Sequence, residues 1–193
     1  MPEQRIQQQF FDSAELHYAA AEVLTRPVRE AVDALIACIT AGGKVLACGD
    51  GGSAADAQHF ASLLIGHFDR ERPGLAALSL SSDSAVLAGV PLDQLYARQV
   101  LALGQPGDVL LTLSADGNAA NMLNAADAAH QRDMTVIALT GRGGGAMAAA
   151  LTETDVHICV PHTRSARILE VHLLVIHCLC DAVDLQLLGE HDE

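Results

Sequence analysis

The sequence is short of basic and aromatic residues, and it contains no tryptophan. Its 11 lysines and arginines stand against 24 aspartates and glutamates, which gives a formal net charge of −13. Because a surface with this charge repels phosphates, we expect no direct binding to nucleic acid. Aromatic residues make up only 3% of the chain, too few for a platform on which bases stack. These shortages exclude a protein that binds DNA or RNA directly.

Long apolar runs and cysteine motifs are also missing. No uninterrupted apolar stretch reaches the roughly 18–20 residues of a membrane helix, so we expect no membrane association. The opening residues MPEQRIQQQFFD do not resemble a signal peptide. The five cysteines form no C-x-x-C motif and no pair with metal-site spacing. Several lie in apolar runs, which predicts buried, reduced thiols and a cytoplasmic protein.

The chain does have enough apolar residues for a core, since they make up 50% of its 193 positions. The length predicts a single domain over residues 1–193. Within residues 1–41, apolar spacing predicts two helices, Gln4–Leu24 and Val28–Thr40. Pro27 suits the first turn of the second helix, so we expect these residues to form a helical hairpin.

Residues 42–193 alternate between strand and helix patterns, and the last helix is predicted from about Ser165 to Leu188. Most of the strand-like runs are apolar on both faces, which is typical of strands covered by helices on both sides. The fold class predicted is therefore α/β, with a doubly wound, five-stranded parallel sheet. The predicted strands are Lys44–Gly49, Leu75–Leu80, Asp108–Ser114, Met134–Gly141 and Val156–Val160.

Two glycine-containing turns follow neighbouring strands of this sheet. The first reads C-G-D-G-G-S and opens a helix, and the second reads S-A-D-G-N. Ligands bind at the carboxyl ends of such strands, where free helical N–H groups can hold an anion. Asp50 and Asp116 work against an anionic ligand, so a plain structural turn stays an equal alternative. The candidate ligand-binding residues are Gly51, Gly52, Ser53, Ser114, Gly117 and Asn118.

Four segments together resemble the sugar isomerase (SIS) domain: KVLACGDGGSAADAQHFAS, DVLLTLSADGNAANML, MTVIALTGRGGG and RSARILEVHLLVIHCLCD. Their order and spacing resemble the phosphoheptose isomerase branch over nearly the whole chain. The resemblance implies a flavodoxin-like SIS fold with N-terminal helices. The RSARI, CLCD and ERP-x-L-x-A-L-x-L stretches are most similar to the DiaA-like members, which are not enzymes and bind the replication initiator DnaA.

The resemblance also implies a metal site, from which this sequence departs. Phosphoheptose isomerases hold a divalent metal, usually zinc, with a His and a Glu on one helix and a Gln and a His on the last helix. The corresponding residues here are His59, Leu63, Leu169 and His177. Because leucine can neither coordinate a metal nor transfer a proton, we expect no metal, no cofactor and no catalytic residue. His59 and His177 are interpreted as remnants.

The phosphate site implied by the resemblance is depleted as well. The isomerases carry S-T-S-G-N-S in the second turn, whereas this chain reads S-A-D-G-N-A. The sequence therefore predicts a vestigial sugar-phosphate crevice in a homotetramer that binds DnaA and promotes its assembly at the origin. Leu187 and Leu188, near the end of the last helix, are the predicted partner-binding residues. The alternatives are a sedoheptulose 7-phosphate isomerase and a sensor that binds a sugar phosphate without turnover.

Overall fold

In the computed structural model, which describes residues 1–190, the N-terminal residues form one helix instead of the predicted hairpin. This helix, α1, spans Pro2–Thr40 and continues through Pro27. A proline inside a helix removes one hydrogen bond and costs about 3 kcal/mol. Buried residues at helical spacing lie on both sides of it in one apolar cluster: Leu16, Ala20, Leu24, Ala31, Val32, Leu35 and Cys38. The hairpin prediction is wrong because the packing of this continuous stripe outweighs the cost of the proline.

The five strands form one parallel sheet in the order β2-β1-β3-β4-β5. This arrangement confirms the predicted α/β fold. The two central strands next to the point of reversal, β1 and β3, are buried along their whole length. The strand bounds are Val45–Gly49 for β1, Ala77–Ser79 for β2, Val109–Leu113 for β3, Thr135–Gly141 for β4 and Val156–Val160 for β5.

Helices cover both faces of the sheet and define two apolar clusters. One cluster joins the sheet to α1, α2 and α7, and the other joins it to α4 and α5. Neighbouring residues of β3 alternate between them, since Leu111 belongs to the first cluster and Leu110 to the second. The helix bounds after α1 are Ser53–Ile65 for α2, Ser84–Gly89 for α3, Leu95–Leu103 for α4, Ala120–His130 for α5, Gly145–Ala150 for α6 and Ser165–Leu188 for α7.

The strand order reverses direction between β1 and β3. In doubly wound sheets, ligands bind in the crevice that opens at this point, outside the carboxyl ends of the strands. The two glycine-containing turns follow these two strands. The topology therefore places them at the position in the fold where a ligand site is expected.

All five cysteines are free. Cys178 is exposed, contrary to the expectation that its apolar run is buried, because it lines an open groove between α1 and α7 while Cys180 faces the core. Burial raises the pKa of the Cys180 thiol to about 12. None of the helices within residues 1–190 is long and apolar enough to cross a membrane.

Candidate functional site

The two turns lie side by side at the carboxyl edge of the sheet. We call residues 49–53 the first turn and residues 114–118 the second turn. Gly49 is the register partner of Leu113 in the β1–β3 pair. The backbone N–H of Asp50 also donates to the carbonyl of Leu113 at 3.0 Å. The structure thus brings the six predicted ligand-binding residues to one edge, where α2 and α7 border the same crevice.

The first turn offers unused hydrogen-bond donors. Gly51 has a φ of +54°, and Ser53 begins α2 with 1% of its surface exposed. Within residues 1–190, the N–H groups of Gly51 and Gly52 and the hydroxyl of Ser53 have no hydrogen-bond partner. Donors at the positive end of a helix are suited to an anion such as a phosphate. Gly49 is required here, because a Cβ atom would lie 2.1 Å from the Ser53 carbonyl oxygen.

The second turn uses several of its donors internally. The Gly117 N–H donates to Ser114 Oγ at 3.1 Å, and the Asn118 N–H donates to Asp116 Oδ1 at 3.0 Å. Asn118 Oδ1 accepts the Ala146 N–H at 3.0 Å, which joins the turn to the start of α6. A Cβ atom on Gly117, whose φ is +69°, would lie 2.0 Å from the Gly144 carbonyl oxygen. The conformation of the second turn is therefore fixed by the loop behind it.

The two predicted remnant histidines meet between α2 and α7. His59 Nε2 and His177 Nε2 are 3.1 Å apart, and the two rings meet edge-on at 74°. The Phe68 ring lies 5.4 Å from the His177 ring, centre to centre. A contact between two ring nitrogens at this distance is a hydrogen bond only if one Nε2 carries a proton and the other does not. The pair therefore holds one proton donor and one acceptor between α2 and α7.

The residues around this pair do not fit the zinc centre that the resemblance implies. Two nitrogen ligands of tetrahedral zinc lie roughly 3.3 Å apart, so the histidine spacing alone is close to that of a metal site. Leu63 and Leu169, however, take the other two ligand positions, and a Cβ on Gly52 would touch Leu169 Cδ1 at 3.8 Å. No group of three or more His, Cys, Asp or Glu residues among those described is arranged to hold a metal.

Other titratable side chains on the helices that carry the pair include Asp56 and His172. On α2, burial raises the pKa of Asp56, and the neighbouring His59 opposes this shift. On α7, burial lowers the pKa of His172 to about 4, and His172 Nε2 lies 3.0 Å from the Thr140 carbonyl oxygen. His172 is fully buried, so it is a neutral structural residue at neutral pH. Asp56 is the one carboxylate of α2 and lies three residues before His59.

Sequence analysis missed Tyr96, which supports the first turn. The Tyr96 hydroxyl donates to the Gly49 carbonyl at 2.8 Å and lies 3.1 Å from Ser81 Oγ. Tyr96 is 4% exposed. A tyrosine within an apolar helix pattern needs a buried hydrogen-bond partner, and this was the signal that could have revealed it.

The two leucines predicted to bind a partner differ in exposure. Leu187 packs partly against the core cluster beneath α7, whereas Leu188 is 39% exposed. Leu185, one turn earlier, is 46% exposed. Only part of the predicted patch therefore faces outward.

Comparisons with known proteins agree with this architecture. The SIS domain family matches residues 9–141. The phosphoheptose isomerase of Methylibium petroleiphilum is 65% identical, over 100% of this chain and 98% of the relative. The solved phosphoheptose isomerase of Neisseria gonorrhoeae is 45% identical with a TM-score of 0.91, over 95% of this chain and 99% of the other. That of Francisella tularensis is 39% identical with a TM-score of 0.92, over 95% and 98% of the two chains.

These comparisons correct the predicted function. Relatives that match the full chain carry the name of the isomerase, and the prediction of a DnaA-binding protein is wrong. The RSARI and CLCD stretches suggested it, but they lie in α7, where Arg167, Ile168 and Cys180 are buried. The chain belongs to the phosphoheptose isomerase family of SIS-domain proteins.

Proposed function

We propose that the crevice between the two turns binds a phosphorylated sugar of the heptose phosphate class. The observation that carries this proposal is the pairing of the two turns at the reversal point of the sheet, with unused donors on Gly51, Gly52 and Ser53. A phosphate accepts hydrogen bonds from such donors and is favoured by the dipole of α2. The similarity to phosphoheptose isomerases over the full chain supports the choice of a sugar phosphate.

Binding can be measured by titration calorimetry with sedoheptulose 7-phosphate. Ser53→Ala removes a hydroxyl donor to the phosphate, and hydrogen bonds to charged groups are strong, so we expect affinity to fall about tenfold or more. Ser84→Ala is the matched control, because Ser84 is an exposed serine at the start of another helix, α3. Equal affinities for the two variants, or no binding by the unmodified chain, would contradict the proposal.

Isomerisation of sedoheptulose 7-phosphate is the second candidate function. It is favoured by the name of the 65% identical relative and by the donor–acceptor pair of His59 and His177. The reaction moves a proton from C1 to C2 of the ketose. One imidazole would accept the C1 proton while the other donates a proton to the C2 oxygen, which forms an enediol. Return of a proton to C2 and loss of the O1 proton then give the aldose.

Turnover distinguishes the two candidates. The substrate is incubated with the purified protein, with and without a metal chelator, and the aldehyde product is followed by NMR. Catalysis by the histidine pair predicts turnover that survives chelation and is lost in His177→Ala. Binding of sedoheptulose 7-phosphate without any turnover would contradict isomerase activity while leaving the sugar-phosphate proposal intact.

We also propose a cytoplasmic homotetramer built on α1 and α7. Five large apolar side chains on α1 are more than half exposed, namely Ile6, Phe10, Phe11, Tyr18 and Val23. An apolar groove between α1 and α7, lined in part by Leu24, Val28 and Val175, continues this surface. Exposed apolar surface of this kind is typical of a protein–protein contact. Light scattering at micromolar concentration tests the assembly, and a monomer would contradict it.

A further inference from the structure

The last peptide unit of β1 is held from both sides. The Asp50 N–H donates to the Leu113 carbonyl on β3 at 3.0 Å, and the Gly49 carbonyl of the same unit accepts the Tyr96 hydroxyl at 2.8 Å. Because a peptide unit is planar, bonds at its two ends fix its orientation. The first turn begins at this unit, so its orientation sets the direction in which the turn leaves the sheet.

The Tyr96 hydroxyl takes the place of a missing sheet bond. On the side of β2, the Ala47 carbonyl accepts the Leu80 N–H at 2.8 Å. Carbonyls that face the same neighbouring strand are two residues apart, so the next one along β1 is that of Gly49. Because β2 ends at Ser79, a tertiary contact from α4 satisfies this carbonyl instead of a further bond from the strand.

Ser81 keeps the Tyr96 hydroxyl in this position. Ser81 Oγ lies 3.1 Å from the Tyr96 oxygen, and it must be the donor in this contact because Tyr96 gives its one proton to the Gly49 carbonyl. Tyr96 and Ser81 are 4% and 8% exposed, so water has little access to either hydroxyl. The hydrogen bonds therefore run in one direction, from Ser81 through Tyr96 to the first turn.

The free donors of the first turn depend on the same stretch of backbone. The Asp50 and Gly51 carbonyls accept the N–H groups of Ser53 and Ala54 at 3.0 and 3.2 Å. In a trans peptide the N–H points opposite to the carbonyl, so the N–H groups of Gly51 and Gly52 point away from the body of α2. A rotation of the preceding peptide unit would redirect both donors, because glycine offers little resistance to such a rotation.

We infer that Tyr96 is a positioning residue of the ligand site. Its hydroxyl fixes the last peptide unit of β1 and so keeps the N–H groups of Gly51 and Gly52 directed at the ligand, which Tyr96 itself does not touch. Ser81 acts through Tyr96. This inference rests on the proposed binding of a sugar phosphate, and it adds two residues outside both turns that control the affinity.

The experiment compares Tyr96→Phe with Val100→Ala by titration calorimetry with sedoheptulose 7-phosphate. Tyr96→Phe removes only the hydroxyl, whereas Val100→Ala removes buried apolar contacts of the same helix and leaves the hydroxyl in place. Because small displacements of binding groups have large effects, we expect Tyr96→Phe to bind about tenfold more weakly than the unmodified chain. Val100→Ala should bind within about twofold of the unmodified chain, although the cavity it creates lowers the melting temperature. Unchanged affinity in Tyr96→Phe, or equal losses in both variants, would overturn the inference.

Substitutions of Ser81 give a second test, which decides the matter if Tyr96→Phe does not fold. Ser81→Ala removes the donor to the Tyr96 hydroxyl, so we expect it to weaken binding about threefold to tenfold. Ser81→Thr keeps a hydroxyl at this position and should restore the affinity to within about twofold of the unmodified chain. Binding by Ser81→Ala as tight as that of the unmodified chain would then overturn the inference.

Amide signals of the ligand-free protein separate this inference from the proposed function. In ¹H–¹⁵N spectra, the signals of Gly51 and Gly52 should shift in Tyr96→Phe and stay in place in Val100→Ala. If sedoheptulose 7-phosphate does not bind the unmodified chain but the signals shift in this way, the proposed function fails and the control of the first turn by Tyr96 stands. If the sugar binds and Tyr96→Phe changes neither the signals nor the affinity, the inference fails and the proposed function stands.

Discussion

Two polar clusters connect α7 to α2 and to the loop that follows α2, and they differ in charge and in burial. In the first, Arg72 Nε donates to Asp184 Oδ1 at 2.5 Å, and the two side chains are 1% and 3% exposed. The remaining Arg72 nitrogens donate to backbone carbonyls near the end of α2, including those of Leu63 and Leu64. In the second cluster, the histidine pair makes one mutual hydrogen bond between its Nε2 atoms at 3.1 Å.

The Arg72–Asp184 cluster has the features of a structural contact, whereas the histidine pair has those of a ligand site. Arg72 binds the carbonyl groups that the C-terminal end of a helix leaves without partners, and it neutralises a buried carboxylate. The histidine pair lies between α2 and α7, and the Nδ1 atom of each ring has no hydrogen-bond partner among residues 1–190. Arg72 thus ties the end of α2 to α7 at one point, and the histidine pair leaves polar atoms available at another.

The largest effect is expected when the structural cluster is broken. Arg72→Met leaves Asp184 buried without a cation, and removal of one partner of a buried ion pair costs about 3–5 kcal/mol. Urea unfolding at pH 7 measures this loss. Arg26→Met is the control, because Arg26 pairs with Glu30 on the exposed side of α1, where such pairs contribute about 0.5 kcal/mol or less. Similar losses of unfolding free energy in the two variants would show that the buried ion pair stabilises the fold no more than an exposed one.

A pH titration of stability tests a third polar residue of α7, His172. Its folded pKa of about 4 lies below the ordinary value of 6.5, so the unfolded chain takes up the proton first. This contribution to stability is complete above about pH 6.5 and is lost as the pH falls toward 4, by up to about 3 kcal/mol in total. The lowered pKa of His157, also caused by burial, acts in the same direction.

His172→Asn should flatten the dependence of the free energy of unfolding on pH between 6.5 and 4.5. The variant can be less stable at every pH, because it also loses the bond to the Thr140 carbonyl. The slope, and not the absolute stability, is therefore the measured quantity. An unchanged slope would show that His172 does not titrate differently in the folded state.

Restoring polar groups beside the histidine pair should create a metal site. Leu63→Glu combined with Leu169→Gln supplies two oxygen ligands next to two imidazoles with suitable spacing. Zinc at about 100 times its Kd should then stabilise the double variant by about 2.7 kcal/mol, seen as a rise in melting temperature. Elemental analysis should find about one zinc per chain.

The control for this prediction changes leucines that do not border the pair. Leu101→Glu combined with Leu103→Gln alters two exposed positions of α4, which packs on the opposite face of the sheet from α2 and α7. It should show no zinc-dependent stabilisation. If the unmodified chain bound as much zinc as the double variant, the argument that Leu63 and Leu169 prevent metal binding would be wrong.

The smallest effect is expected from the histidine pair itself. His59→Ala removes one hydrogen bond at a partly exposed position, which should cost about 1 kcal/mol. His177→Ala should cost a similar amount, and the double variant should cost less than the two losses combined, because the shared bond is lost only once. If His59→Ala lost as much unfolding free energy as Arg72→Met, the histidine pair would be identified as a structural element.

Local patterns in the sequence were sufficient for most of the fold. The bounds predicted for α7 and β5 match those observed, Ser165–Leu188 and Val156–Val160, because apolar periodicity and burial on both faces are local properties. The two turns were also found from sequence, since glycine and serine after a buried strand have a specific meaning in a parallel sheet.

Only the tertiary structure decided how these elements meet. Pro27 was expected to lie in the first turn of a second helix, but the core packs both halves of α1 into one apolar stripe. The bonds from Tyr96 to Gly49, from Arg72 to Asp184 and between His59 and His177 join residues 47, 112 and 118 positions apart. Contacts over such separations leave no periodic signal in the sequence, because they depend on how the helices and strands pack. The sequence determined which elements form, and packing determined which side chains face the crevice together.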